Sequence, residues 1–94
     1  MLSQIPVDLS KVEKKDIDKE ILRAGVIAEL DAINLYEQMA HAAQNETIKT
    51  LLLDIAREEK THVGEFQALL LKMDREQENE LAKGRDEVDE LLEG

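Results

Sequence analysis

Residues 48–73 read IKTLLLDIAREEKTHVGEFQALLLKM, and the spacing of their apolar members decides the fold. Ile48, Leu52, Ile55, Glu59, His62, Phe66, Leu69 and Met73 succeed one another in steps of four and three, which keeps side chains on one face of an α-helix. Within that stripe only Glu59 and His62 break the apolar character. The preceding stretch repeats the rhythm with Leu22, Val26, Glu29, Ile33, Tyr36 and Ala40, and Glu29 is its one charged member. A carboxylate is almost never buried alone, because desolvating it unpaired costs several kcal/mol or makes it take up a proton. Both stripes therefore call for something that binds carboxylates.

The charged interruptions meet if the chain folds back between them. Turn signals cluster around Ala42 to Glu46; Glu29 lies fifteen residues before Gln44 and Glu59 fifteen after it. At about 1.5 Å rise per residue, both stand roughly 22 Å from the turn of an antiparallel hairpin, level with each other. His62 follows one turn beyond Glu59 on the same face. One lone Glu and one Glu-x-x-His make half of the ligand set of a di-iron carboxylate bundle, in which two helices give a Glu each and two others a Glu-x-x-His each. A symmetric partner must bring the rest. The expected fold is all-α, an antiparallel two-helix hairpin plus a short third helix, dimerising into a four-helix bundle.

Size points the same way. Ninety-four residues make one small domain, and two long helices with a short third leave a wide apolar face uncovered. Ile27, Leu30 and Leu35 lie off the Glu29 stripe, so the first helix needs packing partners on more than one side. One Pro, four Gly, one Phe, one Tyr and no Trp in a chain of good helix formers favour the all-α reading. The absence of Cys excludes disulfides, Cys-ligated zinc, iron–sulfur clusters and a rubredoxin-type iron centre. No basic, apolar leader opens the chain and no apolar run approaches the roughly 18 residues of a membrane span, so a cytoplasmic location is expected. The net charge of −10 repels phosphate backbones and favours cations. Nine acids and three bases fall between Asp74 and Gly94, which reads as a solvated acidic helix face.

Along the chain, residues 1–15 read as an N-terminal arm containing Pro6, residues 16–73 as the helical hairpin, and residues 74–94 as a short helix with an acidic tail. Ser10 with Glu13, or Asp16, is expected to cap the first helix, which runs to about Ala43. Asn45 or Glu46 opens the second, which continues to Met73. Asp74 with Gln77 starts a third toward Lys83, where Gly84 is expected to interrupt it before the weak stripe of Val88, Leu91 and Leu92. His41 sits at a helix C-terminus, where a cation suits the dipole. Glu58, Asp31, Glu37 and Glu65 read as solvent-facing, and Phe66 and Met73 as core.

Carboxylate oxygen and imidazole nitrogen suit Fe, Mn or Zn. Two hairpins supply four carboxylates and two neutral imidazoles, which balance two divalent cations. Without metal the four carboxylates repel one another, so metal is expected to be linked to folding or dimerisation. Few ligands per metal leave open positions for O₂ or peroxide. From the residues alone three readings stay open: oxidation of Fe²⁺, another di-metal peroxidase or catalase-like enzyme, and a metal-free helical adaptor.

Glu29, six residues, Tyr36, twenty-two residues, Glu59, two residues, His62 resembles the ferritin-like signature. The stretch AELDAINLYEQMA…LLLDIAREEKTHVGEF resembles the encapsulated ferritins, two-helix ferritin-like cargo of encapsulin compartments. The similarity runs from about Ile17 to Met73. It implies a ferroxidase di-iron centre (Fe) between two hairpins, dimers assembled into a ring, and an encapsulin shell as partner. It matches Glu29, Glu59 and His62 to the iron ligands and Tyr36 to the tyrosine beside the centre. Members often carry an acidic residue just before the first ligand, another two after it, and a Trp before the Tyr. Those positions here are Ala28, Asp31 and Leu35, leaving Asp31 as the iron-access residue. The family's C-terminal targeting peptide is not evident after Gly94.

Overall fold

The computed structural model describes residues 8–94, which form a 3-10 turn, Leu9–Lys11, and three helices, α1 (Ile17–Ala42), α2 (Glu46–Met73) and α3 (Arg75–Glu93). The part of the expected arm that contains Pro6 falls outside the described residues. Asp or Asn stands at each helix start, and at α2 and α3 its short acceptor meets otherwise unpaired N–H groups. The Ile48 N–H donates to Asn45 Oδ1 at 3.0 Å, and the Gln77 N–H donates to Asp74 Oδ1 at 3.0 Å. Asp16 is the N-cap residue of α1 but makes no side-chain cap bond; its carboxylate lies 3.3 Å from Lys19 Nζ. Ser10 belongs instead to the 3-10 turn, where its N–H and Oγ donate to Asp8 Oδ1 at 3.1 and 2.6 Å. Of the two caps expected for the first helix, Ser10 lies outside it and Asp16 holds the N-cap position without a capping bond.

Helix α3 departs from the expected break. It runs unbroken through Gly84 for 19 residues, and Gly84 keeps a negative φ. A glycine inside a helix costs only about 1 kcal/mol. Its neighbours Leu81, Ala82, Lys83 and Arg85 are strong helix formers, and Arg75–Glu78 and Lys83–Glu80 pairs at 3.1 and 3.9 Å brace the exposed side. The expected short helix and tail are one element.

Residues 43–45 join α1 to α2, and the two helices pack side by side. Leu22, Ile33 and Ala40 on α1 are buried, as the first stripe requires, with Ala56 and Leu70 on α2. The second stripe sits differently. Leu52, Ile55 and Phe66 are half-buried, whereas Ile48, Leu69 and Met73 are 48–49% exposed. One neighbouring helix covers only one side of α2, so Ala56 and Leu70 take the seam and the stripe is left along its margin. Met73 is therefore no core residue in the single chain, and Phe66 is only half one.

Close approach at the seam depends on Gly25: a Cβ placed there would stand 2.8 Å from ring atoms of Phe66. Beyond the hairpin, Arg23 reaches from α1 to Asp74 at the α2–α3 corner, Nη2 to Oδ2 2.7 Å. From that corner α3 projects outward with no buried residue of its own. The molecule spans 46 × 44 × 19 Å with a radius of gyration of 16.6 Å, against about 12.4 Å for a compact domain of this length.

Candidate metal centre

Fifteen residues on either side of the turn, α1 and α2 bring their charged interruptions level. His62 Nδ1 lies 3.4 Å from Glu29 Oε2 and 3.3 Å from Glu59 Oε2. One donor atom from each of the three residues falls within 4.8 Å of the others. The Glu29 and Glu59 side chains are only 18% and 19% exposed, while His62 is 43% exposed, so the group opens on the imidazole side. His62 and Glu59 are in hydrogen-bond contact, the ring nitrogen's role depending on its tautomer. Glu29 Oε2 is buried with no hydrogen-bond partner; its approach to His62 is a short contact without hydrogen-bond geometry.

A buried carboxylate oxygen without a donor is unfavourable. Two carboxylates facing one imidazole carry more negative charge than that imidazole can offset, even protonated. A divalent cation repairs both faults, and O,O,N donors suit iron, manganese or zinc. The residues present thus fit a bound metal. A hollow of about 520 Å³ on the first turns of α2, lined by Glu46, Thr47, Thr50, Leu51, Asp54 and Arg57, offers no such set, since it holds no imidazole and Asp54 is already paired with Arg57 at 2.8 Å.

Beside the donors runs a cleft of about 410 Å³ lined by Leu22, Glu29, His62, Glu65, Phe66 and Leu69. Glu65 is exposed, as its sequence reading held, yet it belongs to the cleft wall. The signal was its position three residues after His62. Tyr36 is half-buried and stands seven residues after Glu29, about 10 Å along α1, outside the converging group. Asp31 is half-buried and does not line the cleft. Glu37 pairs with Lys60 across the hairpin at 3.1 Å, and His41 occupies the last turn of α1.

A family model described as Rubrerythrin matches residues 20–91. The chain belongs to the rubrerythrin family. Among its relatives is a ferritin-like–encapsulin shell fusion protein of Pyrococcus furiosus, 56% identical over 93 residues, covering 97% of this chain and 27% of the relative. An encapsulin nanocompartment cargo protein, EncC, of Myxococcus xanthus is 39% identical over 71 residues, covering 72% of this chain and 55% of that one. The chain thus spans about a quarter and about half of these two relatives. The crystal structure of the encapsulated ferritin domain from Pyrococcus furiosus superposes with a TM-score of 0.82 at 55% identity, covering 97% of this chain and 95% of that one. The expected kinship with encapsulated ferritins and the ferritin-like all-α fold are both upheld. No helix among the described residues is long and apolar enough to cross a membrane.

Proposed function

We propose that the chain is a ferroxidase that oxidises Fe²⁺ to Fe³⁺ at a di-iron site shared by two copies of the hairpin, for iron mineralisation and storage inside a cytoplasmic encapsulin compartment. The observation that carries this reading is the orphaned Glu29 Oε2 within a cluster of two carboxylates and an imidazole. The encapsulin and ferritin names of the relatives support the setting, with the shell protein as partner and Fe²⁺ as substrate. Dimers arranged in a ring belong to the same reading.

In this role Glu29 and Glu59 hold the metal through carboxylate oxygens and offset its charge, and His62 offers a neutral ring nitrogen. Two copies supply four carboxylates and two imidazoles, so a pair of divalent ions is balanced. When bound, iron supplies the electrons, one from each Fe²⁺, to O₂ or peroxide. Leu22 and Phe66 line the cleft beside the donors and keep its walls apolar, which strengthens the charge interactions inside. Tyr36 is assigned a place beside the centre in the assembled dimer.

Aerobic Fe²⁺ oxidation, followed optically with iron counted per chain, tests the reading. Glu59→Ala is expected to lower turnover at least tenfold, on the order expected for loss of a metal ligand, while helix content is kept. Tyr36→Phe should leave metal uptake intact and slow oxidation. Unchanged oxidation in the Glu59→Ala protein would refute the ligand assignment. Peroxide turnover without Fe²⁺ oxidation would place the chain with other di-metal enzymes, and a purified protein that binds no metal would leave only the helical adaptor.

A further inference from the structure

Among the described residues three glycines lie inside helices, Gly25, Gly64 and Gly84, and none takes a positive φ. Alanine could hold each of these backbone positions and would favour the helix. A Cβ at Gly64 or Gly84 would meet nothing within 4 Å, whereas one at Gly25 would stand 2.8 Å from Cδ1 and Cε1 and 3.0 Å from Cζ of Phe66. Gly25 lies four residues before Glu29, and Phe66 four after His62. On antiparallel helices the two pairs are neighbouring rungs, one turn or about 6 Å apart along the axis. We propose that Gly25 and Phe66 are positioning residues for the metal centre: the ring, seated against the bare Cα of Gly25, holds α1 and α2 at the separation that lets Glu29 and His62 reach one cation. The inference rests on the metal reading of Glu29, Glu59 and His62. The contact lies between the two helices of one chain, so it does not depend on a face being left uncovered.

The magnitudes favour this role. Ordinary contact with a Cβ begins at 3.4 Å, so a side chain at position 25 would force the ring, or the helix that carries it, to retreat from 2.8 Å to that limit, about 0.6 Å. Donor groups of a binding site must be held within about 0.5 Å of their working geometry. A phenyl ring cannot fold out of the way as an unbranched side chain such as Met does. Widening the seam here would act on one relation above all. His62 and Glu59 share α2 and stay together, whereas Glu29 reaches His62 across the seam, Oε2 to Nδ1 3.4 Å.

Equilibrium binding of Co²⁺ to the full chain, in competition with a chromophoric chelator, tests the proposal without any turnover, together with the visible absorption of the bound ion. Gly25→Ala is expected to weaken binding about tenfold, the lower end of what losing a ligand-orienting partner costs, and to change the visible bands, which report donor geometry. Gly25→Ala combined with Phe66→Leu moves volume from α2 to α1, and should return the affinity to within about threefold of the parent and restore the bands. Metal binding is linked to folding, so a variant that loses stability far from the donors is the necessary comparison. Ala40 is a buried residue of α1 eleven positions beyond Glu29, and Ala40→Gly weakens the helix there; it should bind Co²⁺ as the parent does. The proposal is overturned by parent-like affinity and bands in Gly25→Ala, by equal weakening in Ala40→Gly, or by a double variant no better than Gly25→Ala. If circular dichroism shows Gly25→Ala to be unfolded, Phe66→Ala removes the ring without a clash: binding about tenfold weaker supports the proposal, and parent-like binding overturns it. A parent chain that binds no Co²⁺ refutes the metal reading and the proposal with it. A parent that binds Co²⁺ and is matched by Gly25→Ala refutes the positioning role alone.

Discussion

A single methyl group separates Gly25 from a collision with Phe66. A Cβ there would come within 2.8 Å of the ring, well inside ordinary contact. Replacing a helical glycine by alanine normally stabilises by about 0.5–1 kcal/mol, whereas overpacking a seam costs about 1–3 kcal/mol. The second effect should win, since the ring forms part of both the seam and the cleft. Gly25→Ala is expected to lose about 1 kcal/mol in urea unfolding, and adding Phe66→Leu should restore it. A Gly25→Ala protein as stable as the parent would mean that the ring swings aside freely. Gly84 is the opposite case, because nothing lies within 4 Å of a Cβ built there. Gly84→Ala should therefore stabilise α3 by about 0.5–1 kcal/mol, read as increased helicity and a later loss of the α3 signal on heating.

At the scale of elements, the α2–α3 corner is held by Asp74. Its carboxyl sits below the usual carboxylate range, chiefly because the Gln77 N–H donates to it; desolvation opposes this as the next largest cause, and the Arg23 hydrogen bond and the charges of Lys19 and Arg23 lower it further. A carboxylate whose pKa falls on folding contributes stability that is present above its unfolded value and lost as pH drops through its folded value. That contribution should hold at neutral pH and fade below about pH 3.8, the ordinary value for Asp. Asp74→Asn keeps a capping oxygen but loses the charge facing Arg23. The parent should melt at a higher temperature than Asp74→Asn at pH 7, and the gap should close in acid below that value. A gap independent of pH would show that the charge at the corner contributes nothing.

For the whole molecule, the accessible surface of 7378 Å² exceeds the roughly 5,500 Å² expected of a compact chain of this mass. Large apolar side chains are among what is exposed. Ile48, Leu51, Leu69 and Met73 stand 48–57% exposed along the His62 side of α2, which surrounds the metal group with surface suited to a second hairpin. Metal binding to the paired state and not to the single chain shifts the equilibrium by mass action. Anaerobic Fe²⁺ is accordingly expected to convert metal-free protein to dimers or larger rings in sedimentation at low concentration, and a chelator to reverse this. Iron-loaded chain that stays monomeric and active would rule out a shared site.

The hairpin, its turn and the convergence of Glu29, Glu59 and His62 follow from periodicity and register, because 3.6 residues per turn and 1.5 Å per residue place side chains on an α-helix almost independently of their surroundings. Asn45 and Asp74 were legible as caps for the same local reason. Asp31 and Tyr36 were named through resemblance, and the single chain does not bring either to the three donors. What lay beyond the sequence was decided by relations between elements. Gly84 continues a helix because the propensity of its neighbours outweighs one unfavourable residue. Ala56 and Leu70 take the seam while Met73 stays exposed, because one neighbouring helix covers only one side of α2. Glu65 became part of a cleft only once Leu22 of α1 stood opposite it; no pattern along α2 encodes the wall that a second helix provides.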